Sequence, residues 1–435
     1  MYINKVKVKE AMAKKGMKTQ TQLAEMLNIT KNQLSVMLSE KFQPLKSNVE
    51  NLCKTLEVSP SEILEYGSEN IIANILMEER IKYIIQSNFF VHGNTERLTQ
   101  KDTIKTIELF AGTGGIALGL EQSGIEALAY VEIDKYCCET LRRNRPNWAV
   151  IEDDIRNVDF NSFRGQADIV TGGFPCQAFS YAGKKLGFED TRGTLFYEFA
   201  RCIKEVEPLI FMAENVRGLI SHDDGRTLET ILGIFEELGY NVKYELLNAV
   251  NYGVPQKRER VIIIGTKPGV SFEFPERELE IKTIRDVLEN VPESKGQQYS
   301  SNKKKVLDLV PPGGCWRELP LEVQKAYMGK SFYSGGGRTG MARRISWDEP
   351  CLTLTCSPSQ KQTERCHPDE TRPFTVREYA RIQTFPDDWK FAGGLGEKYK
   401  QIGNAVPVKL AYKLGIQLIE AINTANIENK KINVG

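Results

Sequence analysis

Ile104-Lys105-Thr106-Ile107-Glu108-Leu109-Phe110-Ala111-Gly112-Thr113-Gly114-Gly115 decides how the chain folds. Ile104 to Phe110 is rich in β-branched and apolar residues, as a buried strand requires, and the glycines after it let a tight turn hand the chain to a helix, Gly115 to Gly124. The alternation then repeats. Ala127 to Glu132 reads as a strand, Lys135 to Asn144 as a helix, and a third strand ends at Asp153-Asp154-Ile155. Further strands are expected at Ala167 to Val170, Leu209 to Ala213, Asn241 to Asn248 and Arg260 to Gly265, with helices at Phe196 to Glu205 and Arg226 to Leu238. Strands alternating with helices predict an α/β fold with a parallel, doubly wound sheet. Such sheets keep their ligands outside the carboxyl ends of the strands.

Outward from this region the composition changes. The 435 residues carry a net charge of +1, so no overall bias points to nucleic acid. Residues 1–60 differ, with ten lysines and no arginine against five acids, a local +5. Lys5 to Met17, a segment opened by Thr21, and Lys31 to Leu38 read as three helices at short intervals. Leu23, Ala24, Leu27, Ile29, Leu34, Val36 and Leu38 would form their core. That arrangement resembles the helix-turn-helix domains of the phage-repressor class, with Lys31, Asn32 and Gln33 exposed at the start of the third helix to meet DNA. Helices at Leu45 to Leu56 and Ser59 to Tyr66 would complete the domain. Ser68 to Gln86 reads as a linker helix. Nine cysteines, an odd number in a long chain, suit reduced thiols and a cytoplasmic protein. The lysine-rich start predicts no signal peptide, and the sequence holds no apolar run of the ~20 residues a membrane span needs. After Gly265 the alternation stops, and residues 271–391 form an irregular, β-containing region.

Chemistry gathers at the expected strand ends. Gly112, Gly114 and Gly115 let backbone N–H groups approach a ligand, and Glu132, about twenty residues on, could take ribose hydroxyls. Asp154 is placed to accept from an adenine amine, and Asp134 before Lys135 reads as a helix cap. Pro175-Cys176-Gln177 follows a strand directly and begins a glycine-rich, cationic loop. Glu214 ends another strand at the same edge, where burial would raise its pKa. Arg258 and Arg260, at i and i+2, would point to the same place. A metal site at Cys356, Cys366 and His367 lacks the Cys-x-x-Cys pairs of structural zinc, so no metal is expected.

In this order, Phe110-Ala111-Gly112-x-Gly114-Gly115, Glu132-Ile133-Asp134-Lys135, Pro175-Cys176-Gln177, Glu214-Asn215-Val216, Gln256-Lys257-Arg258-Glu259-Arg260 and Gly403-Asn404-Ala405-Val406-Pro407 resemble the blocks of the bacterial DNA (cytosine-5)-methyltransferases of restriction-modification systems, over residues 104 to about 422. The resemblance implies a Rossmann-like, S-adenosyl-L-methionine-dependent catalytic domain, a smaller target-recognition domain, duplex DNA as substrate and a cognate restriction endonuclease as functional partner. It implies Cys176 as nucleophile, with Glu214, Arg258 and Arg260 at the flipped base. Phe110, Gly112, Gly114, Gly115, Glu132, Ile133, Asp154, Ile155, Pro175 and Asn404 would hold the cofactor. Ile133 departs from the larger, often aromatic residue of the family. DNA contacts are expected from Gln177, Ser180 and Arg192 of the loop and from Arg338, Arg343 and Arg344.

The implied domains are 1–67 helix-turn-helix, 68–101 linker helix, 102–270 catalytic, 271–391 target recognition, 392–425 return to the catalytic domain and 426–435 tail. The helix-turn-helix domain would repress its own gene or that of the nuclease. Two alternatives stay open: an RNA (cytosine-5)-methyltransferase, and a DNA-binding regulator whose transferase half is inactive.

Overall fold

A computed structural model describes residues 2–17, 19–27, 29–38, 52–56, 58, 63–65, 103–175, 194–333 and 340–434, in two compact units within Met1–Leu98 and Thr99–Gly435.

In the first unit, helices Lys5–Lys14, Gln20–Met26 and Lys31–Met37 follow one another closely. Two Thr-x-x-Gln capping boxes open the later pair. The Thr19 and Thr30 hydroxyls accept from the backbone N–H groups of Gln22 and Gln33, whose side-chain oxygens accept from the threonine N–H groups in return. The second helix therefore starts at Gln20, ahead of Thr21. Val8, Met12, Leu23, Leu34, Leu38, Leu52 and Ile63 are buried together, with Leu27 and Ile29 packed against them. Residues 52–56 are helical, but Leu64–Glu65 (β2) pairs antiparallel with Tyr2–Ile3 (β1). The expected helix to Tyr66 thus gives way to a non-local strand pair that local propensity does not reveal. The expected helix at 68–86 lies outside the described residues.

The second unit is built on one seven-stranded sheet: β3 (Lys105–Leu109), β4 (Glu126–Glu132), β5 (Val150–Glu152), β6 (Ile169–Gly172), β7 (Ile210–Val216), β8 (Asn241–Asn248) and β10 (Glu259–Thr266). A further strand, β9 (Gln256–Lys257), pairs with β11 (Cys351–Leu352). The order is β5-β4-β3-β6-β7-β10-β8. From β5 to β7 all pairs are parallel, whereas β10 runs against both β7 and β8, so the expected all-parallel sheet is mixed. Residues 249–258 between β8 and β10 are too few for a helical crossover, which needs a dozen or more, and a short connection can only turn the chain back. After β5 the chain recrosses β3 to reach β6. The carboxyl ends of β3, β4 and β6 therefore border the crevice of a topological switch point.

Both faces are covered. Helices Leu195–Val206 and Arg226–Glu237 pack Phe196, Phe199 and Phe235 on one side, and helices Gly115–Ser123 and Val408–Val434 pack Leu120, Leu410, Leu414 and Leu418 on the other. Gly114, at φ +87°, caps the first of these helices, and a Cβ there would stand 2.8 Å from Leu141 and 3.1 Å from Trp389.

Residues 271–391 do not form one body. Ile284, Leu288, Cys351, Leu354, Phe374, Tyr379 and Trp389 share a core with Tyr130 and Leu141, so the chain has rejoined the large body by Phe374, ahead of 392. A separate small core holds Tyr299, Leu307, Val310, Trp316, Leu319, Met328, Ala342 and Cys366. Arg344, 4% exposed, staples this small core. Its Nε donates to Val310, Nη1 to the carbonyls of His367 and Pro368, and Nη2 to Leu307 and to the Thr371 hydroxyl.

Candidate active site

The ends of β3, β4, β6 and β7 surround a cavity of about 590 Å³. Of the ten residues expected to hold a cofactor, nine line it: Phe110, Gly112, Gly115, Glu132, Ile133, Asp154, Ile155, Pro175 and Asn404. Gly114 does not, being spent on the helix start behind the wall.

Glu132 organises the glycine loop. One carboxylate oxygen accepts from Gly112 N at 2.7 Å and the other from Ile133 N at 2.8 Å and Asp134 N at 2.7 Å. The first of these bonds ties down a turn in which Phe110 and Gly112 both stand in the left-handed region, at φ +54° each. Ile133, next to Glu132, is 66% exposed although apolar and borders the cavity. Asp134 caps helix Lys135–Asn144 as expected, accepting from Tyr136 and Cys137 N–H groups, and binds Lys400 at 3.0 Å. Asp154 also caps, and its ion pair with Arg156 holds its carboxyl down at about 2. Its oxygens thus already serve this chain, where an adenine contact was expected.

Glu214 comes from the end of β7, and Arg260 Nε meets it at 2.6 Å. Both side chains are about nine-tenths buried. The apolar isolation expected for Glu214 is replaced by this pair. Glu214 lies against Gly173, where a Cβ would stand 2.8 Å from its Oε2, so glycine admits the carboxylate to the root of the Pro175 turn. Asn215 Nδ2 holds that turn by donating to Phe174 O at 3.0 Å. Pro175 is exposed at the cavity edge. Cys176, Gln177, Ser180 and Arg192 follow in residues 176–193, outside the described residues.

Arg258 departs from expectation. It sits in the break between β9 and β10, where strand alternation does not carry through, and is 1% exposed. Its guanidinium donates to the carbonyls of Leu354 at 3.1 Å, Gly403 at 2.9 Å and Asn404 at 3.3 Å. Burial, reinforced by the Arg260 charge, pulls its pKa below the ordinary range. Arg258 therefore braces the wall that carries Asn404 and does not face the cavity.

The expected DNA contacts fare unevenly. Arg344 has all five donors engaged inside the small core, and Arg343 donates to Gly313 O and pairs with Glu349 at 2.6 Å. Both guanidinia are turned inward to carbonyls, a hydroxyl and a carboxylate of this chain, where base-edge contacts were expected. Arg338 lies outside the described residues. Lys31 and Gln33 are exposed on the third helix, with Gln33 Oε1 committed to its capping box; nothing is described of the Asn32 side chain.

Sequence reasoning missed several wall residues. Gln401 accepts from Thr113 Oγ1 at 3.1 Å and Thr140 Oγ1 at 2.7 Å, tying a late helix to the glycine loop. Behind the wall, Arg201, held by Glu198 and Glu205, donates to the carbonyls of Ile155 at 2.9 Å and Val158 at 3.1 Å. Asn215 was in plain view beside Glu214; Gln401 and Arg201 carried no local signal. The thiols of Cys356 and Cys366 turn to different partners, Asn404 Oδ1 and Glu370 O, and His367 Nδ1 accepts from Asp369 and Glu370 N–H groups. Among the described residues no group of three such side chains is placed to hold a metal ion, and no helix is long and apolar enough to cross a membrane.

Comparison with known proteins agrees with this architecture. Residues 104–420 match the family model described as C-5 cytosine-specific DNA methylase, and residues 7–69 match a Cro/C1-type helix-turn-helix DNA-binding domain. The chain is 51% identical to the Type II methyltransferase M.Sau96I of Staphylococcus aureus over 98% of this chain and 100% of that one. It is 50% identical to M.Eco47II of Escherichia coli over 93% and 99%. The solved Dnmt2 methyltransferase of S. pombe shares the fold, with a TM-score of 0.55 at 19% identity over 74% of this chain and all of that one. The chain belongs to the C-5 cytosine-specific DNA methylases, and it carries a Cro/C1-type helix-turn-helix domain ahead of the methylase domain.

Proposed function

We propose that the protein transfers a methyl group from S-adenosyl-L-methionine to C5 of a cytosine flipped out of a short, specific duplex sequence. The observation that carries this reading is a single cavity whose wall joins the Glu132-pinned glycine loop to the Glu214–Arg260 pair and to Pro175, the residue before Cys176. The wall suits the cofactor: Glu132 for ribose hydroxyls, the apolar Ile133 as a platform for a flat base, and exposed Asn404 for a polar tail. When bound, the sulfonium supplies a methyl group activated toward nucleophiles. Cytosine C5 is not nucleophilic by itself. The Cys176 thiolate adds to C6, Glu214 stabilises the ring protonated at N3, and the resulting enamine makes C5 electron-rich. Once C5 has taken the methyl group, loss of its remaining proton expels the thiolate from C6 and restores the aromatic ring. A base inside a duplex cannot reach such a pocket, hence the flip.

The part of the chain built on the small core of Tyr299, Leu307, Trp316, Met328, Ala342 and Cys366 is the natural seat of target recognition. Since the relatives are Type II methyltransferases, the reaction would protect host DNA from a partner restriction endonuclease. Bisulfite mapping of DNA from cells expressing the chain tests the whole reading: one cytosine in a fixed short sequence should be modified. Scattered or absent modification would sink it. For the cofactor wall, Glu132→Ala should weaken S-adenosylmethionine binding by about 1.5–3 kcal/mol, the range for hydrogen bonds to a charged group. Unchanged affinity in calorimetry removes Glu132 from the site.

The first unit would act separately, as an autoregulator on an operator near its own gene or the nuclease gene. Deleting residues 1–66 should leave methylation nearly intact while raising reporter expression from the upstream region. A truncated enzyme that loses methylation while the reporter stays flat makes the domain a part of the catalytic unit instead.

A further inference from the structure

Among the described residues, the cavity wall carries more negative charge than it neutralises. The three cations described there are already taken: Arg260 by Glu214, Arg156 by Asp154 and Lys400 by Asp134. Glu108, Glu132 and Asp153 also border the cavity. Glu132 and Asp153 are satisfied by backbone and amide N–H groups. Glu108 is different. It is 1% exposed, it takes a backbone N–H from Ala117, and its Oε2 has no partner among the described residues. Its cross-strand neighbours in register are Tyr130 on β4 and Thr171 on β6, and Thr171 Oγ1 is likewise without a partner. The titratable groups facing it are Glu132 and Tyr130, with Glu121 and Arg145 around Tyr130. None of them offers Glu108 a close positive charge.

We propose that Glu108 is a proton-exchanging subsite for a cationic group of the cofactor, keeping its proton while the pocket is empty and releasing it to solvent when that group enters. The inference rests on the cofactor assignment above. Burial pushes the Glu108 carboxyl well above the ordinary carboxylate range and the charge of Glu132 adds to this, while the Ala117 N–H opposes both. An incoming ammonium or sulfonium reverses the balance, because an opposite charge favours the ionised form. A lone buried carboxylate would be costly in the empty protein; a neutral carboxylic acid is not.

Calorimetric titration of the full chain with S-adenosylmethionine near pH 7, in buffers of contrasting ionisation enthalpy, counts the protons. Wild-type protein should show net proton release on binding, of at most one proton per cofactor. Glu108→Gln should release none and bind at least tenfold more weakly. S-adenosylhomocysteine, which keeps the ammonium but lacks the sulfonium, separates the two cations: an equal loss of affinity for both ligands assigns Glu108 to the ammonium, and a loss confined to S-adenosylmethionine assigns it to the sulfonium. Wild-type binding with no proton release, or with proton uptake, overturns this inference and leaves the cofactor reading intact. No binding by wild type at all overturns both.

Folding supplies a second readout. An unfolded glutamate ionises near 4.5, whereas the buried one keeps its proton above that pH. Unfolding then releases a proton, and stability falls as pH rises through the window between the two values. Glu108→Gln should lose that slope and melt no lower than wild type at pH 8. A variant that melts lower there, with the slope retained, counts against the neutral state.

Discussion

Cys176→Ser abolishes methyl transfer, by a factor on the order of 10⁴ or more, and leaves S-adenosylmethionine affinity within about twofold of wild type. The size follows from what the step requires. A thiol is partly ionised near neutral pH and is intrinsically nucleophilic, while a hydroxyl is neither, and removing a nucleophile costs an enzyme nearly all the advantage of the residues that act with it. Affinity is spared because Glu132, Ile133, Asp154 and Asn404 border the cavity independently of residue 176. Tritiated-methyl incorporation and calorimetry on the same preparation check both halves. Appreciable turnover by the serine variant would end the assignment of Cys176.

Glu214→Gln is expected to lower the single-turnover rate by about 10²–10⁴, the range for removing a group that manages a proton in the transition state, with cofactor affinity unchanged. A glutamine can still lie over Gly173, but it gives no negative charge to a ring that has gained a proton, and it leaves Arg260 without the carboxylate now 2.6 Å away. The rate is best read by rapid quench with enzyme in excess over DNA. If the glutamine variant turns over as fast as wild type, Glu214 is a partner for Arg260 and nothing more.

The parts of this protein that could be read from its sequence are those with a period. Strand Asn241–Asn248 and helix Lys135–Asn144 fall where alternation and the Asp134 cap place them. The strand-end logic pointed to Gly112, Gly115, Glu132 and Asp154, the family resemblance added Phe110, Ile133, Ile155, Pro175 and Asn404, and all nine border one cavity. The errors have a different origin. Arg343 and Arg344 sit in a stretch without periodicity beside a glycine run, where arginine reads as a nucleic-acid contact. Only the folded chain reveals that carbonyls from residues 307, 310, 313, 367 and 368 converge on them. Arg258 was misjudged because its neighbours look like one continuous strand, and the break after Lys257 turns it inward. The pairing of Tyr2–Ile3 with Leu64–Glu65 spans some sixty residues of sequence, and no local signal records it. The reversal of β10 was available to a closer reading, since the ten residues 249–258 leave no room for a helix.

That reversal shapes the chemistry. Five parallel strands bring only their finishing ends to the crevice, so a residue that opens a strand would ordinarily stand at the far side of the molecule. Because β10 travels the other way, its beginning arrives where β7 concludes, with Arg260 opposite Val216 and Ile262 opposite Glu214. An acid from the close of one strand and a guanidinium from the outset of another thereby become neighbours without any loop to carry either. The ladder between them works as a ruler. A slip of one residue would send Arg260 to the opposite face of the sheet, and the buried Val261, Ile262, Ile263 and Ile264 make such a slip prohibitive. The placing of Glu214 against Arg260 is thus inherited from the hydrophobic packing of the sheet.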